Sequence, residues 1–323
     1  MLIPPRRTVK RWMAGLALAL LLPNVASRGQ NSLTNGLVAY WNFDNKDFAD
    51  SVGTFDGTGN GTEAIPFVDG KAGFGQAIDL DGTDQFVEIT GRDPGTYDPD
   101  QLAFENGSIS IAGWFTVDAF DKSWQALIAK GEGSNWRVAR NSASSTMSYA
   151  GGLTDVTGTK NVADGSWHHF VAISDANATA FGTALYIDGV LDGTQAGAAV
   201  LTANASNVKI GDNPGASGRY WNGKIDDVAI WNRVLSETEI GALYSSGTGK
   251  PLSVLINPTS SGTVTITQQP GNVTVLEGAA AQFSVQTTFT GEVPPSYQWR
   301  KNGVDIANAV NATYTTPCHR SHR

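Results

Sequence analysis

The sequence predicts an all-β fold, an antiparallel sandwich or jelly roll, and three observations carry that reading. Charged residues make up only 16% of the 323 residues and glycine reaches 37, where about 25% charged is usual. Short runs of alternating apolar residues recur between Gly, Asp and Asn turn signals. Only one segment carries a helical start signal. The single cysteine, Cys318, allows no internal disulfide and no Cys-based zinc spacing.

Taken in chain order, residues 1–27 read as an export signal. Arg6, Arg7, Lys10 and Arg11 precede the apolar run Met13–Leu22, and Val25-Ala26-Ser27 offers small residues for cleavage. The run is about ten residues, short of the ~20 that span a bilayer, so no membrane insertion is expected after its removal. Removing these four bases leaves 18 bases against 30 acids, a net charge of −12. Such a chain repels phosphate backbones, which excludes nucleic acid as a partner.

From residue 31 to 247 the strands follow one another. In Ser108–Val117 the alternation puts Ile109, Ile111, Phe115 and Val117 on one face. A second strand covers Trp167–Ile173, and its alternation sends His168 and His169 to opposite faces, one partly buried and one exposed. Leu185-Tyr186-Ile187 runs into Asp188-Gly189 and then Val190-Leu191, a hairpin signal. Ile225–Trp231 is a further strand. Ser236 and Glu239 form a capping box, with Leu235 and Ile240 as its staple, and predict a helix over Glu237–Tyr244. Residues 248–262, rich in Pro, Ser and Thr, read as a linker. Beyond them the composition turns to Thr, Val, Gln and Ala.

The segments GLVAYWNFDN (36–45), GKAGFGQAIDLDGTDQFVEI (70–89), SISIAGWFTVD (108–118), DGSWHHFVAI (164–173), LYIDGVLDGT (185–194) and NGKIDDVAIWNRVLSETEI (222–240) resemble, in order and spacing, the laminin G-like, concanavalin A-like jelly-roll domains of secreted bacterial proteins. Residues 263–317 resemble part of a bacterial immunoglobulin-like domain, with Trp299 as its core tryptophan. The usual cysteines and the later strands are missing, and residues 318–323 do not continue the pattern.

What the resemblance implies about function divides into three classes. The first is a non-catalytic extracellular recognition or adhesion module of a larger exported protein, secreted or displayed at the cell surface. The others are the carbohydrate-binding module of a polysaccharide degrader and a glycosidase. Hydrolases of this fold carry an E-x-D-x-x-E strand, which this sequence lacks. Asp79-Leu80-Asp81 is the nearest approach and runs into a turn, so no catalysis is expected. The resemblance also implies one structural Ca²⁺ joining the first segment to the last strand, with Asp44 or Asp50 and Asp226 or Asp227 as ligands and carbonyls near Gly53 completing the oxygen set. Trp41, Trp114, Trp167, Trp231 and Trp299 lie in patterned strands and are expected in cores. Trp124, Trp136, Arg219, Tyr220, Trp221 and Asn222 lie near turns, in the mixture of aromatic and hydrogen-bonding groups that sugars need. They are the candidate ligand residues, for a polysaccharide, a surface glycan or a protein.

Overall fold

The computed structural model describes residues 9–11, 16–21, 33–178, 181–256, 263–276, 279–290, 296–302, 304–306 and 309–317. Two compact units emerge, one from Ser32 to Ile256 and one combining 1–31 with 257–323.

The Ser32–Ile256 unit holds fifteen described strands. They are β1 (Leu37–Trp41), β2 (Gly57–Asn60), β3 (Phe67–Asp69), β4 (Gln76–Asp81), β5 (Phe86–Ile89), β6 (Ile109–Phe115), β7 (Ala126–Ala129), β8 (Trp136–Arg140), β9 (Met147–Gly151), β10 (Val156–Thr157), β11 (His168–Ser174), β12 (Phe181–Ile187), β13 (Val190–Ala196), β14 (Lys209–Ile210) and β15 (Asn222–Trp231). They form two antiparallel sheets. One has the order β10-β9-β8-β7-β14-β5-β2; the other runs β13-β12-β11-β6-β15-β4-β3, with β1 also on β15. The inward faces close on one core that includes Trp41, Ile109, Ile111, Phe115, Trp136, Val138, Tyr149, Phe170, Trp221 and Ile230. The fold is therefore the all-β sandwich that the alternation predicts.

Local chemistry explains the connections. Asp188 and Gly189 both take positive φ, at 52° and 71°, as a two-residue turn between β12 and β13 requires. Helix α1 (Glu237–Tyr244) starts with the full capping box of Ser236 and Glu239. Its Ile240 and Leu243 pack with Leu235, Val171, Ile173 and Trp231 in a second core outside the eight-stranded sheet. That outer layer alters the histidine expectation. His168 and His169 do face opposite ways, but both are buried. His169 is roofed by Trp114 and by Tyr244 of α1, with ring centroids at 4.9 and 6.2 Å. Trp167 sits just before β11 and stays half-buried instead of entering a core.

The segment expected as a linker starts inside this unit. Leu252–Ile256 forms a short helix, α2, whose Leu252 and Leu255 join the second core. The rest of that linker, 257–262, lies outside the described residues.

In the other unit, Thr263–Gln268 pairs with Gln286–Thr290, Gln282–Ser284 with Thr313–Thr315, and Ser296–Lys301 with Val304–Asp305. Trp299 is fully buried against Phe283 and Tyr314. Two strands come from the segment expected to be an export signal: Val9–Arg11 pairs with Thr274–Leu276, and Leu16–Leu21 with Ser296–Lys301. The expected cleavage site at 25–27 and the tail 318–323 fall outside the described residues. Among the described residues, no helix is long and apolar enough to cross a membrane.

Candidate functional site

The outer face of the seven-stranded sheet gathers the polar and aromatic groups that the core cannot take. Alternation fixes which residues these are. Trp136 and Val138 point inward, so Arg137 and Ala139 of β8 point out; Met147 and Tyr149 point inward, so Ser148 and Ala150 of β9 point out. In β7 a register shift against β8 breaks the alternation, and consecutive Leu127 and Ile128 both enter the core. Ala126 and Ala129 are thereby left on the outer face, where with Ala139 they form a small apolar cluster of their own. These alanines are 0% exposed, so larger groups cover them.

Trp124 lies on the same side of the sheet as Arg137. It precedes β7 with φ +60°, a conformation that costs a bulky side chain energy. Its indole lies under the guanidinium of Arg137, 5.2 Å from ring centroid to carbon. Arg137 is held between Glu132 at 2.6 Å and Asp155 at 2.5 Å, and Glu132 also accepts from Asn213. Further along the sheet, Tyr220 stacks on Phe86 at 6.2 Å. Lys209 sits 4.0 Å from the Phe86 ring centroid and 2.9 Å from Asp212. Arg219 donates to the Ser123 carbonyl, and its own carbonyl accepts from Ala126. Three buried polar atoms here have no protein partner: Ser148 Oγ, Asp212 Oδ1 and Arg219 Nε. A buried polar atom left without a partner is costly. Five further unpartnered buried atoms, Tyr97 OH, His169 Nδ1, Thr183 Oγ1, Asp192 Oδ2 and Asp226 Oδ2, are spread over the rest of the described residues.

Trp124, Arg219 and Tyr220 lie on this face. Three other candidates do not. Trp136 is fully buried and donates to the Leu102 carbonyl. Trp221 is fully buried, donates to the Thr116 carbonyl and meets Phe115 and Phe120 edge-on. The reason is the path of the chain. Arg219 and Trp221 bond to the seven-stranded sheet, and Asn222 then opens β15 in the other sheet. Trp221 lies at this crossing, between the layers. Asn222 pairs with Asp81 there and is separated from the candidate face. Phe86, Arg137, Glu132, Asp155, Lys209 and Asp212 were not anticipated. The inward pattern of Trp136 and Val138 was the available signal for Arg137; nothing local in the sequence pairs it with Asp155.

The acidic candidates divide as well. Asp50 is 3% exposed and accepts from the backbone nitrogens of Tyr40, Val52 and Phe55. It organises a turn, in which Gly53 approaches its carboxylate. A register shift in β15 spans Asp226 and Asp227, and Asp227 takes φ +51°. This aims the two carboxylates apart. Asp227 accepts from the Tyr40 hydroxyl and from the Leu252 nitrogen, latching α2, and so is committed within the protein. Asp226 Oδ1 accepts from Asp227 N, while its Oδ2 is buried without a partner. Burial first, then the Asp227 charge, pushes the Asp226 carboxyl well above the usual range.

Around Asp226 the loop 70–75 makes a glycine-walled cradle. A Cβ on Gly70 would fall 2.5 Å from Asp226 Oδ2, and one on Gly75 1.8 Å from Asp44 Oδ1. Asp44 reaches this loop through Gln76 N at 3.0 Å. Among the described residues no three His, Cys, Asp or Glu side chains converge on a common ion position, so most donors to an ion would be backbone oxygens.

The sheet order, the crossing at Trp221 and the bulged last strand can be compared with known proteins. Residues 81–241 match the concanavalin A-like lectin/glucanases superfamily. No curated protein matches the chain. Among solved structures, domain 4 of an extracellular arabinanase from Geobacillus stearothermophilus, in complex with arabinotriose, is 21% identical over 63% of this chain and 96% of its own, with a TM-score of 0.48. The binding domain of Paraclostridial Mosquitocidal Protein 1 is 16% identical over 66% of this chain, which spans only 52% of that structure, with a TM-score of 0.50. A structure described as a receptor binding domain is 12% identical over 84% of this chain and 74% of its own, at 0.51. The family match over 81–241 and the two antiparallel sheets agree on a concanavalin A-like β-sandwich.

Proposed function

We propose that the protein is a non-catalytic, exported binding module whose outer seven-stranded face takes a glycan. The observation that carries this is the set of unpartnered buried atoms, Ser148 Oγ, Asp212 Oδ1 and Arg219 Nε, beside two aromatic platforms, Trp124 and the Phe86–Tyr220 pair. Sugar rings stack on aromatic faces, and their hydroxyls both donate and accept. Two proteins of similar fold are binding domains by description, which agrees with this reading. Catalysis by a carboxylate pair needs one acid and a second free carboxylate. Glu132 and Asp155, the pair brought together on this face, are both spent on Arg137.

The test is binding of the full chain to a broad panel of soluble and insoluble polysaccharides, with release of reducing ends measured in parallel. Expected are retention that Trp124→Ala abolishes and no turnover. Turnover that Glu132→Gln removes would replace this reading with the glycosidase.

We also propose one structural Ca²⁺, held by Asp44 and Asp226 with backbone oxygens of the 70–75 loop. The unpartnered Asp226 oxygen and the glycine cradle fit a hard cation that prefers oxygen. The ion would neutralise Asp226 and tie the segment after β1 to the last strand; it would supply no chemistry to a substrate.

A further inference from the structure

We infer that the outer face of the seven-stranded sheet selects uncharged glycans, over a span of several sugars, and turns away uronic, sialic and sulfated ones. This rests on the glycan-binding reading above and adds the ligand's class to it.

The first argument is charge. The face carries Arg137, Lys209 and Arg219, and a cationic face would ordinarily attract acidic polysaccharides. Here two of the three cations are already paired with acids. Arg137 is forked between Glu132 and Asp155, Lys209 is paired with Asp212, and Arg219 is turned to the Ser123 carbonyl. Glu88, paired across from Lys209 and bonded to Asn207, adds a fourth acid against three bases. A ligand carboxylate or sulfate that seeks Arg137 or Lys209 would have to open one of these pairs and then face the released acid. That is discrimination by repulsion.

The second argument is hydrogen-bond polarity. The unpartnered atoms are a hydroxyl oxygen (Ser148 Oγ), an acceptor (Asp212 Oδ1) and a donor (Arg219 Nε). A sugar hydroxyl answers all three, because it both donates and accepts. An ionised carboxylate or sulfate only accepts. It could answer Arg219 and would leave the Asp212 oxygen facing an anion.

The third argument is extent. Ser148 lies opposite Ala139, Ala139 opposite Ala126, and Ala126 N bonds to the Arg219 carbonyl. Three strand spacings separate Ser148 from Arg219, about 14 Å at ~4.8 Å each. One monosaccharide cannot reach both ends, and a short oligosaccharide can.

The experiment is affinity electrophoresis of the full chain in gels containing neutral arabinan, xyloglucan or mixed-linkage β-glucan, or polygalacturonate, alginate or heparin. Each gel is run at low and at 0.5 M salt. Retardation is expected in at least one neutral gel, at both salt levels, and in none of the acidic ones. The double variant Glu132→Gln/Asp155→Asn frees Arg137 and should gain at least tenfold in affinity for polygalacturonate, a gain that high salt removes. Asp212→Asn, which frees Lys209, serves as an independent variant, and melting curves confirm that each folds. Salt-sensitive retardation of the wild-type chain by acidic glycans alone would overturn the selectivity and leave glycan binding standing. No retardation in any gel would overturn the glycan reading and the selectivity with it.

Discussion

Trp221 and Trp124 are two tryptophans that the sequence places in the same turn-rich class, and the structure separates them into a core residue and a surface residue. The two substitutions to alanine should therefore act on different quantities. Trp221 is fully buried, packs edge-on against Phe115 at 5.6 Å and Phe120 at 5.7 Å, and donates to the Thr116 carbonyl at 3.1 Å. Removing a buried tryptophan costs about 3–5 kcal/mol through lost transfer energy and the cavity left behind. The lost indole also leaves the Thr116 carbonyl without that donor. In a unit the size of Ser32–Ile256, each kcal/mol lowers Tm by roughly 2–4 °C, so Trp221→Ala should melt about 6–20 °C lower. Trp124 is only partly buried and holds an unfavourable φ of +60°. Trp124→Ala loses one cation–π contact, ~0.5–1 kcal/mol at an exposed site, and keeps the Cβ that makes a positive φ costly, so the backbone cost stays. Its Tm should move by no more than about 4 °C, while glycan retention disappears. Calorimetry and affinity electrophoresis on the same preparations separate the two effects. A Trp221→Ala protein that melts like wild type but no longer binds would refute the assignment of these two residues.

Calcium at a hundredfold excess over its Kd should stabilise by ~2.7 kcal/mol and raise Tm by about 5–11 °C over an EDTA-treated sample. Asp226→Asn should erase that gain with little effect on the metal-free protein, whereas Asp227→Asn should lower Tm with and without calcium, since Asp227 holds Tyr40 and Leu252; equal melting of verified metal-free and calcium-loaded protein would reject the ion. Burial pushes the His169 imidazole down to about 3, while an unfolded histidine protonates near 6.5. Its stability contribution is therefore full above pH ~6.5 and is lost as pH falls toward 3, at up to ~1.4 kcal/mol per unit; His169→Phe should flatten the acid limb of Tm against pH, and an unchanged limb would refute it. Burial opposes a charge on His168, but Asp188 and Asp164 outweigh it and raise its pKa. That contribution has the opposite sign: present below ~6.5 and lost as pH rises through the folded value. Export should remove the first 27 residues, so N-terminal sequencing of the secreted protein should read from Arg28 or Gly29; an intact Met1 would reject cleavage.

The parts of this fold that were legible in the sequence are those where one residue type has one physical use. Ser236 and Glu239 have a single good arrangement at a helix start, and the predicted helix has the observed bounds. Asp188-Gly189 suits a turn that needs two positive φ angles. The alternation of Ile109, Ile111 and Phe115 put the right side chains in the core. What failed needed knowledge of a second layer or of the chain's route. His169 is buried because α1 lies over the eight-stranded sheet. Trp221 is buried because the chain changes sheets at that point. Asp50, Asp44, Asp226 and Asp227 look alike in sequence, and their roles diverge through partners far away along the chain, such as Leu252 for Asp227.

Two departures from strict alternation account for most of what makes this sandwich more than a scaffold. A regular strand reveals its faces by counting, so any site built on regular alternation is readable from sequence. The shift in β7 turns Leu127 and Ile128 inward together, which leaves small residues at 126 and 129 on the outer face beside Trp124 and Arg137. The shift in β15 turns Asp226 toward the glycine loop and Asp227 toward Tyr40 and α2. In both places the extra residue breaks the period of two, and a side chain emerges where counting would not put it. Restoring the alternation would return these side chains to the faces that counting predicts. Deleting one residue at either bulge should therefore cost the nearby site more than it costs the core, because the core's large side chains lie on the regular strands around it.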